Sequence, residues 1–158
     1  MFQPHTTIQL RDAVKDYYYH GDRGYGPIGT WDTSKITDMS RLFVNMTACN
    51  ESIANWDTSS VTDMRYMFCG CTSFNQPLQT WNTSSVTNMV SMFDRCTSFN
   101  QPLYTWDTSS VTNMSHMFKG CTSFHQPMGN WHLSQNMFAT CRDPEYCCTV
   151  FDDGYVVK

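Results

Sequence analysis

The sequence has few charged residues, and those it has are scattered. Asp, Glu, Lys and Arg make up 15% of the 158 residues, and the formal net charge is −4. No run of Lys and Arg supplies the electrostatic surface that is typical of nucleic-acid-binding proteins. We therefore expect no nucleic-acid partner, and a surface built mainly from hydroxyl and amide groups.

Long apolar stretches are also missing. No segment approaches the roughly 18 consecutive apolar residues that a membrane-spanning helix needs, and residues 1–15 lack the apolar core of a signal peptide. These absences predict a protein without membrane insertion, located in the cytoplasm or in a virion. The cell surface stays possible by a route that needs no signal peptide.

One repeated pattern fills most of the chain. The five tryptophans are spaced by 25 residues: Trp31, Trp56, Trp81, Trp106 and Trp131. Periods of this length are typical of proteins built by stacking one small unit. The pattern divides the chain into residues 1–30 (an N-terminal capping helix and lead-in), 31–130 (four repeats) and 131–158 (a partial fifth repeat and C-terminal cap).

Each repeat predicts a turn, a short strand, a short helix and an extended return. In the second repeat Asp57 suits an Asx turn, Val61 lies among Ser and Thr as in a strand, and Asp63 occupies a favoured helix N-cap position. Apolar residues with the spacing of two helical turns follow: Met64, Met67, Phe68 and Cys71. Gly70 and Gly120, with Asn45 in the first repeat, suit the left-handed residue after a helix, and Arg95 suits it poorly.

These units predict an α/β repeat solenoid of leucine-rich-repeat-like coils with parallel strands. A single coil cannot bury its own apolar residues, so the core must form between coils. We predict that this core contains the five tryptophans together with Phe68, Phe93, Phe118, Cys71, Cys96 and Cys121. The repeated Thr37, Thr62, Thr87 and Thr112 are expected to form a ladder of hydroxyl groups.

Both ends of the array carry cap signals. Thr6 to Tyr19 predicts an amphipathic helix, with Thr6 and Gln9 at capping-box spacing. Near the other end, two apolar segments flank Asp152-Asp153-Gly154, which predicts a β-hairpin. Self-association through these end caps stays open.

The repeat resembles a known family. WDTSSVTDM, followed by MF-x-GC and SFNQPL, is similar to the BspA-like leucine-rich repeat surface proteins in their mycoplasma-type 25-residue version, over residues 31–130. The resemblance implies a leucine-rich-repeat-like fold used in surface display, adhesion or protein binding, with no catalytic residues in common. Similar arrays occur in large DNA viruses.

The cysteines allow two interpretations. Cys71, Cys96 and Cys121 share one repeat position, and Met46 replaces them in the first repeat, as expected for buried apolar thiols. A disulfide ladder or a metal site is the alternative, but paired C-x-x-C motifs are missing. We predict no metal and no cofactor, and leave the redox state of Cys141, Cys147 and Cys148 open.

Some positions vary within otherwise fixed repeats. They form three sets, one for each repeat position, and should face solvent as candidates for contact with another protein. The first set contains Arg41, Tyr66 and His116 together with Ser91. The second contains Asp94 and Lys119 together with Cys69, and the third contains Gln79 and Tyr104. Ser, Thr and His recur without a unique catalytic constellation, so no catalytic residue is expected.

The sequence therefore predicts a non-enzymatic repeat scaffold that binds another protein, as a surface or structural assembly protein. A minor structural component of a large DNA virus particle is an alternative within the same class. A cysteine-based redox or metal-binding protein is the alternative of another class.

Overall fold

The computed structural model describes residues 1–128, Trp131, and the backbone of two short strands near the C-terminus. Its elements are helix α1 (Thr7–His20), one 3-10 turn (Ile28–Thr30), and strands β1 (Thr149–Val150) and β2 (Val156–Val157). Most of the described chain consists of turns and irregular segments around a large buried cluster of aromatic and aliphatic side chains.

Helix α1 forms where the sequence predicts it. The Thr6 hydroxyl accepts a hydrogen bond from the Gln9 N–H at 3.2 Å, and the Gln9 side chain accepts one from the His5 N–H at 2.7 Å. Gly21 (φ 76°) ends the helix, and its N–H donates to the Tyr17 carbonyl. The buried residues Leu10, Ala13 and Val14 face the core, so the amphipathic helix and its N-cap are confirmed.

The strand predicted around Val61 and its equivalents does not form in the described repeats, and a single bridge residue follows two positions later. Isolated parallel bridges join Asp38 to Asp63, Asp63 to Asn88, and Asn88 to Asn113. In this stretch the chain runs parallel to its neighbour 25 residues away, but it does not continue as a strand.

The predicted short helix in each repeat is wrong. Residues 65–70 form successive turns in which alternate N–H groups point away from their own segment. The N–H groups of Met64, Tyr66, Phe68 and Gly70 donate to carbonyls 24 residues further along the chain, at 2.7–2.9 Å. An α-helix would need those same N–H groups for bonds to carbonyls four residues earlier. The bonds between repeats therefore replace the helix.

Two residues in each repeat have left-handed backbone conformations, four positions apart. Tyr66 (φ 57°) and Gly70 (φ 77°) are one pair, and Ser91 (φ 51°) and Arg95 (φ 61°) are the next. Arg95 is the residue whose type fits such a conformation poorly. Its N–H donates to the Lys119 carbonyl at 2.6 Å, so a hydrogen bond to the next repeat holds the left-handed conformation in place.

Aromatic rings stack along the core at the spacing of the repeats. The rings of Phe43, Phe68, Phe93 and Phe118 lie nearly parallel, with centroids 5.4–5.5 Å apart. The indole N–H groups of Trp56, Trp81, Trp106 and Trp131 each donate to a carbonyl 28 residues earlier, at 2.8–3.1 Å. Each Trp therefore buries its ring without leaving its polar group unpaired.

Near the C-terminus, β1 and β2 pair antiparallel, with Thr149 opposite Val157 and Val150 opposite Val156. The antiparallel pairing of the two segments that flank the predicted turn is therefore confirmed. The turn residues Asp152–Gly154 and the cysteines Cys141, Cys147 and Cys148 lie outside the described residues. The division at residues 30 and 130 stays a prediction.

Candidate functional site

Hydrogen bonds of polar side chains fix the surface of the repeats. The hydroxyls of Thr62, Thr87 and Thr112 donate at 3.0–3.2 Å to carbonyls 25 residues earlier, which form the expected hydroxyl ladder. A second ladder was not predicted. In it the buried hydroxyls of Thr58 and Thr83 donate at 2.9 Å to the carbonyls of Asn82 and Asp107 in the next repeat.

Asparagines form a third ladder that the sequence interpretation missed. The amide oxygens of Asn50, Asn75 and Asn100 accept the backbone N–H of the residue 25 positions later, at 2.9–3.2 Å. Their recurrence at the 25-residue period is a signal that could have revealed this role, because a side-chain amide can replace missing backbone partners in an extended segment.

The acidic and amide residues after each Trp act as predicted. Asp32, Asp57, Asn82 and Asp107 each accept the backbone N–H two residues later, at 2.9–3.1 Å, in an Asx turn. The hydrogen bonds from Ser34 hold the pKa of Asp32 below its ordinary value. Asp38, Asp63, Asn88 and Asn113 form the same turn where helix caps were predicted.

The first set of variable positions lies on a left-handed backbone. Arg41, Tyr66, Ser91 and His116 have φ angles of 51–59°. Arg41 is exposed, Tyr66 and His116 are half-buried, and Ser91 is buried. The Arg41 guanidinium carbon lies 5.1 Å from the centre of the Tyr66 ring, a cation–π distance. The structure thus brings two of the predicted contact residues together on neighbouring repeats.

The second variable set behaves differently from the prediction. Lys119 is exposed, but Asp94 is only 8% exposed, and Cys69 of the same set is also buried. The Asp94 carboxylate lies 3.4 Å from the Arg95 side chain, which partly offsets its burial. Asp94 is therefore corrected from a solvent-facing contact residue to a buried one, because it lies in an irregular turn and not on the outer face of a helix.

The third set contains the most exposed aromatic residue of the described repeats. Tyr104 is 56% exposed, and Gln79 in the preceding repeat is half-buried. Tyr is frequent at the centres of protein interfaces because its ring contributes apolar area and its hydroxyl a hydrogen bond. Tyr104 is the candidate anchor with the best access to a partner.

The described cysteines are free thiols. Cys71, Cys96 and Cys121 donate from Sγ to the carbonyls of Phe43, Phe68 and Phe93 at 2.7–2.9 Å. Burial raises the pKa of Cys49 to about 11 and also raises the pKa of Cys69, Cys71 and Cys96. These thiols pack as apolar groups and stay protonated at neutral pH.

Two cavities border α1. One, of about 210 Å³, is lined mainly by apolar and aromatic side chains, including Val14, Tyr17 and Phe43. The other, of about 590 Å³, is lined by Arg41 and by three basic residues that the sequence interpretation did not select: Arg11, Lys15 and Arg65. These basic residues come from three separate parts of the chain, so the sequence does not indicate that they lie together in the structure.

Within the part of the chain that the structure describes, no group of three or more His, Cys, Asp or Glu side chains is arranged to hold a metal ion. Among the same residues, no helix is long and apolar enough to cross a membrane.

The 25-residue period of the sequence recurs in the spacing of the stacked aromatic side chains. A family model described as "Mycoplasma protein of unknown function, DUF285" matches residues 13–131, and the chain belongs to this family. No curated protein matches the chain, and no solved structure matches it.

Proposed function

We propose that this chain is a non-enzymatic repeat scaffold that binds another protein, as a surface or structural assembly protein. On this proposal the stacked segments form a leucine-rich-repeat-like solenoid of the BspA-like type. The observation that carries the proposal is the recurrence of one set of backbone hydrogen bonds, in which alternate N–H groups of each repeat donate to the next.

Such a backbone favours binding to a macromolecule. The repeats share the stacked rings of Phe43, Phe68, Phe93 and Phe118, so the positions that vary between repeats change the surface without changing the fold. The geometry supports Tyr66 and Tyr104 as anchors, with Arg41, His116, Lys119 and Gln79 around them. A row of side chains on evenly spaced repeats suits an extended protein surface better than a small substrate.

The proposal can be tested by site-specific photo-crosslinking in cells of the source organism. A photoreactive residue replaces Tyr104 in one variant and Tyr66 in a second. Ser109, which is exposed but occupies an invariant position of the repeat, carries it in the control. We expect the same protein to crosslink from both tyrosine positions and not from position 109.

Mass spectrometry identifies the adducts, and the purified partner is then titrated against Tyr104→Ser. Loss of an interface anchor weakens binding by about 30-fold, which corresponds to roughly 2 kcal/mol. Adducts of equal yield from all three positions, or none from the two tyrosines, would contradict the proposed binding surface.

A further inference from the structure

A basic groove lies between α1 and the first two repeats. Its volume is about 590 Å³, within the range of sites for small molecules. Four of its lining residues are cationic and come from three parts of the chain: Arg11 and Lys15 from α1, Arg41 from the first repeat, and Arg65 from the second. Asp38 is the acidic residue in the lining.

The charge of this groove is opposite to that of the whole chain. It holds four of the ten Lys and Arg residues of a protein whose net charge is −4. Asp63 pairs with Arg65 at 3.0 Å and neutralises part of this charge. With Asp38 and Asp63 both counted, two positive charges remain without an acidic partner in the groove. Like charges repel, so a bound anion would stabilise this arrangement.

Contacts between the segments hold the basic groups in place before any ligand binds. The Arg41 N–H donates to the Arg65 carbonyl at 3.0 Å, which places these two residues side by side on adjacent repeats. Arg11 donates from Nη2 to the Ser40 carbonyl at 3.0 Å, and Thr7 donates from its hydroxyl to the Asp38 carbonyl at 2.8 Å. Hydrogen bonds therefore join α1 to the first repeat, and the first repeat to the second, around the groove.

Arg11 and Arg41 have further features that favour binding of an anion. The Nε of Arg11 is buried and has no hydrogen-bond partner among the described residues, which is costly for a guanidinium donor. The Tyr66 ring lies 5.1 Å from the Arg41 guanidinium carbon and limits its orientations. Planar guanidinium groups bind phosphate and sulfate oxygens through paired hydrogen bonds.

We propose that this groove binds a ligand that carries at least two phosphate or sulfate groups. Two unpaired positive charges and three guanidinium groups exceed what one carboxylate would neutralise. The volume also exceeds the space that a single phosphate occupies. This inference does not rest on the proposed protein-binding role, because it concerns a different class of ligand, although Arg41 belongs to both surfaces.

Calorimetric titration of the full chain with inorganic pyrophosphate, at low ionic strength, tests the proposal. We expect saturable 1:1 binding that weakens as salt is added, because screening reduces the attraction between charges. Arg41→Gln and Lys15→Gln should each weaken binding about tenfold or more. The control, Lys119→Gln, removes an exposed cation outside the groove and should leave the affinity unchanged.

Thermal unfolding of each variant checks that the fold is intact, and Lys15 serves as the second test position because its side chain is exposed. Absence of saturable pyrophosphate binding would overturn the proposal. So would an equal loss of affinity in Lys15→Gln and Lys119→Gln.

Further titrations identify the source of the anionic groups. Tripolyphosphate and a short heparin-type sulfated oligosaccharide separate a phosphate ligand from a sulfated carbohydrate, and either result supports the proposal. Citrate tests the chemistry of the anion, since it offers carboxylates alone. Citrate binding as tight as that of pyrophosphate would overturn the assignment to phosphate or sulfate.

Discussion

Residues 1–30, predicted to form the N-terminal cap, and the described part of the predicted repeats (residues 31–128) use similar local sequence signals and form different structures. Both contain short polar residues that accept nearby N–H groups, followed by apolar residues at helical spacing. In the cap this pattern gives α1. In the repeats it gives turns whose N–H groups donate to the next repeat. Turns form instead of a helix where a neighbouring repeat places its backbone carbonyls within hydrogen-bond distance of these N–H groups.

The largest expected difference between the two regions concerns their aromatic residues. Phe93 is fully buried, with ring centroids 5.5 Å from both Phe68 and Phe118. Phe93→Ala should lower the free energy of unfolding by about 3–5 kcal/mol, because it leaves a cavity inside the stack. Tyr17→Ala in the cap should cost less than half as much, since Tyr17 is half-buried. Urea unfolding measures both, and equal losses would contradict a core centred on the repeats.

Two left-handed glycines provide a matched pair of positions. Gly21 in the cap (φ 76°) has open space where a Cβ would lie, whereas a Cβ at Gly70 (φ 77°) would meet the Asn45 side chain of the preceding repeat. Gly21→Ala should cost about 1 kcal/mol, the usual penalty for this conformation. Gly70→Ala should cost about 2–3 kcal/mol, because the Asn45 side chain must also move. Thermal unfolding measures the loss of stability in each variant. Equal losses would contradict tight packing between the repeats at Gly70.

Alkaline pH should destabilise the repeats, because their buried thiols ionise. Residues 1–30 contain no cysteine and lack this contribution. Burial raises the pKa of Cys49 to about 11, whereas an unfolded thiol ionises at pH ~8.5. Between these values the folded state binds more protons than the unfolded state, so the free energy of unfolding falls as pH rises. The stabilisation is complete below the unfolded pKa and is lost as pH approaches the folded one.

The slope is at most about 1.4 kcal/mol per pH unit for each such thiol. Urea unfolding at a series of pH values from neutral to strongly alkaline measures it. Cys49→Ala is the control and should show a shallower decline by the contribution of one thiol. An unchanged slope in that variant would show that Cys49 ionises as easily in the folded chain as in the unfolded one.

The smallest expected difference in stability is between variants that remove a buried and an exposed hydrogen bond between repeats. Thr58→Val removes a buried hydroxyl that donates to the Asn82 carbonyl at 2.9 Å, and should cost about 1–2 kcal/mol. Thr62→Val removes an exposed hydroxyl of the same kind and should cost less than about 0.5 kcal/mol, because water can replace the bond. Chemical unfolding compares the two variants. A larger loss of unfolding free energy in Thr62→Val than in Thr58→Val would contradict the greater contribution expected from the buried hydroxyl.

Sequence reasoning was accurate where short-range contacts decide the structure. The Thr6 cap, the Asx turns and the C-terminal pairing depend on residues a few positions apart, so their signals are local. It was wrong about the helices in the repeats and about the exposure of Asp94. In both cases the outcome depends on hydrogen bonds and packing between residues about 24–25 positions apart.

The candidate contact residues were only partly predictable for the same reason. The repeat identifies which positions vary, and Tyr104, Arg41 and Lys119 are exposed as expected. Periodicity does not say which side of an irregular turn faces solvent, and this is why Asp94 was misplaced. The pairing of Arg41 with the Tyr66 ring also needed the stacking distance between repeats.

By itself the sequence determined the repeat, its 25-residue register and the residues at each local turn, because these depend on residue type and spacing along the chain. The tertiary structure alone decided that the central segments form turns instead of helices. It also decided that Arg11, Lys15, Arg41 and Arg65 line one groove. Both outcomes arise between segments: a backbone N–H or a charge responds to whatever lies nearest in space, and stacking brings together residues that the chain keeps far apart.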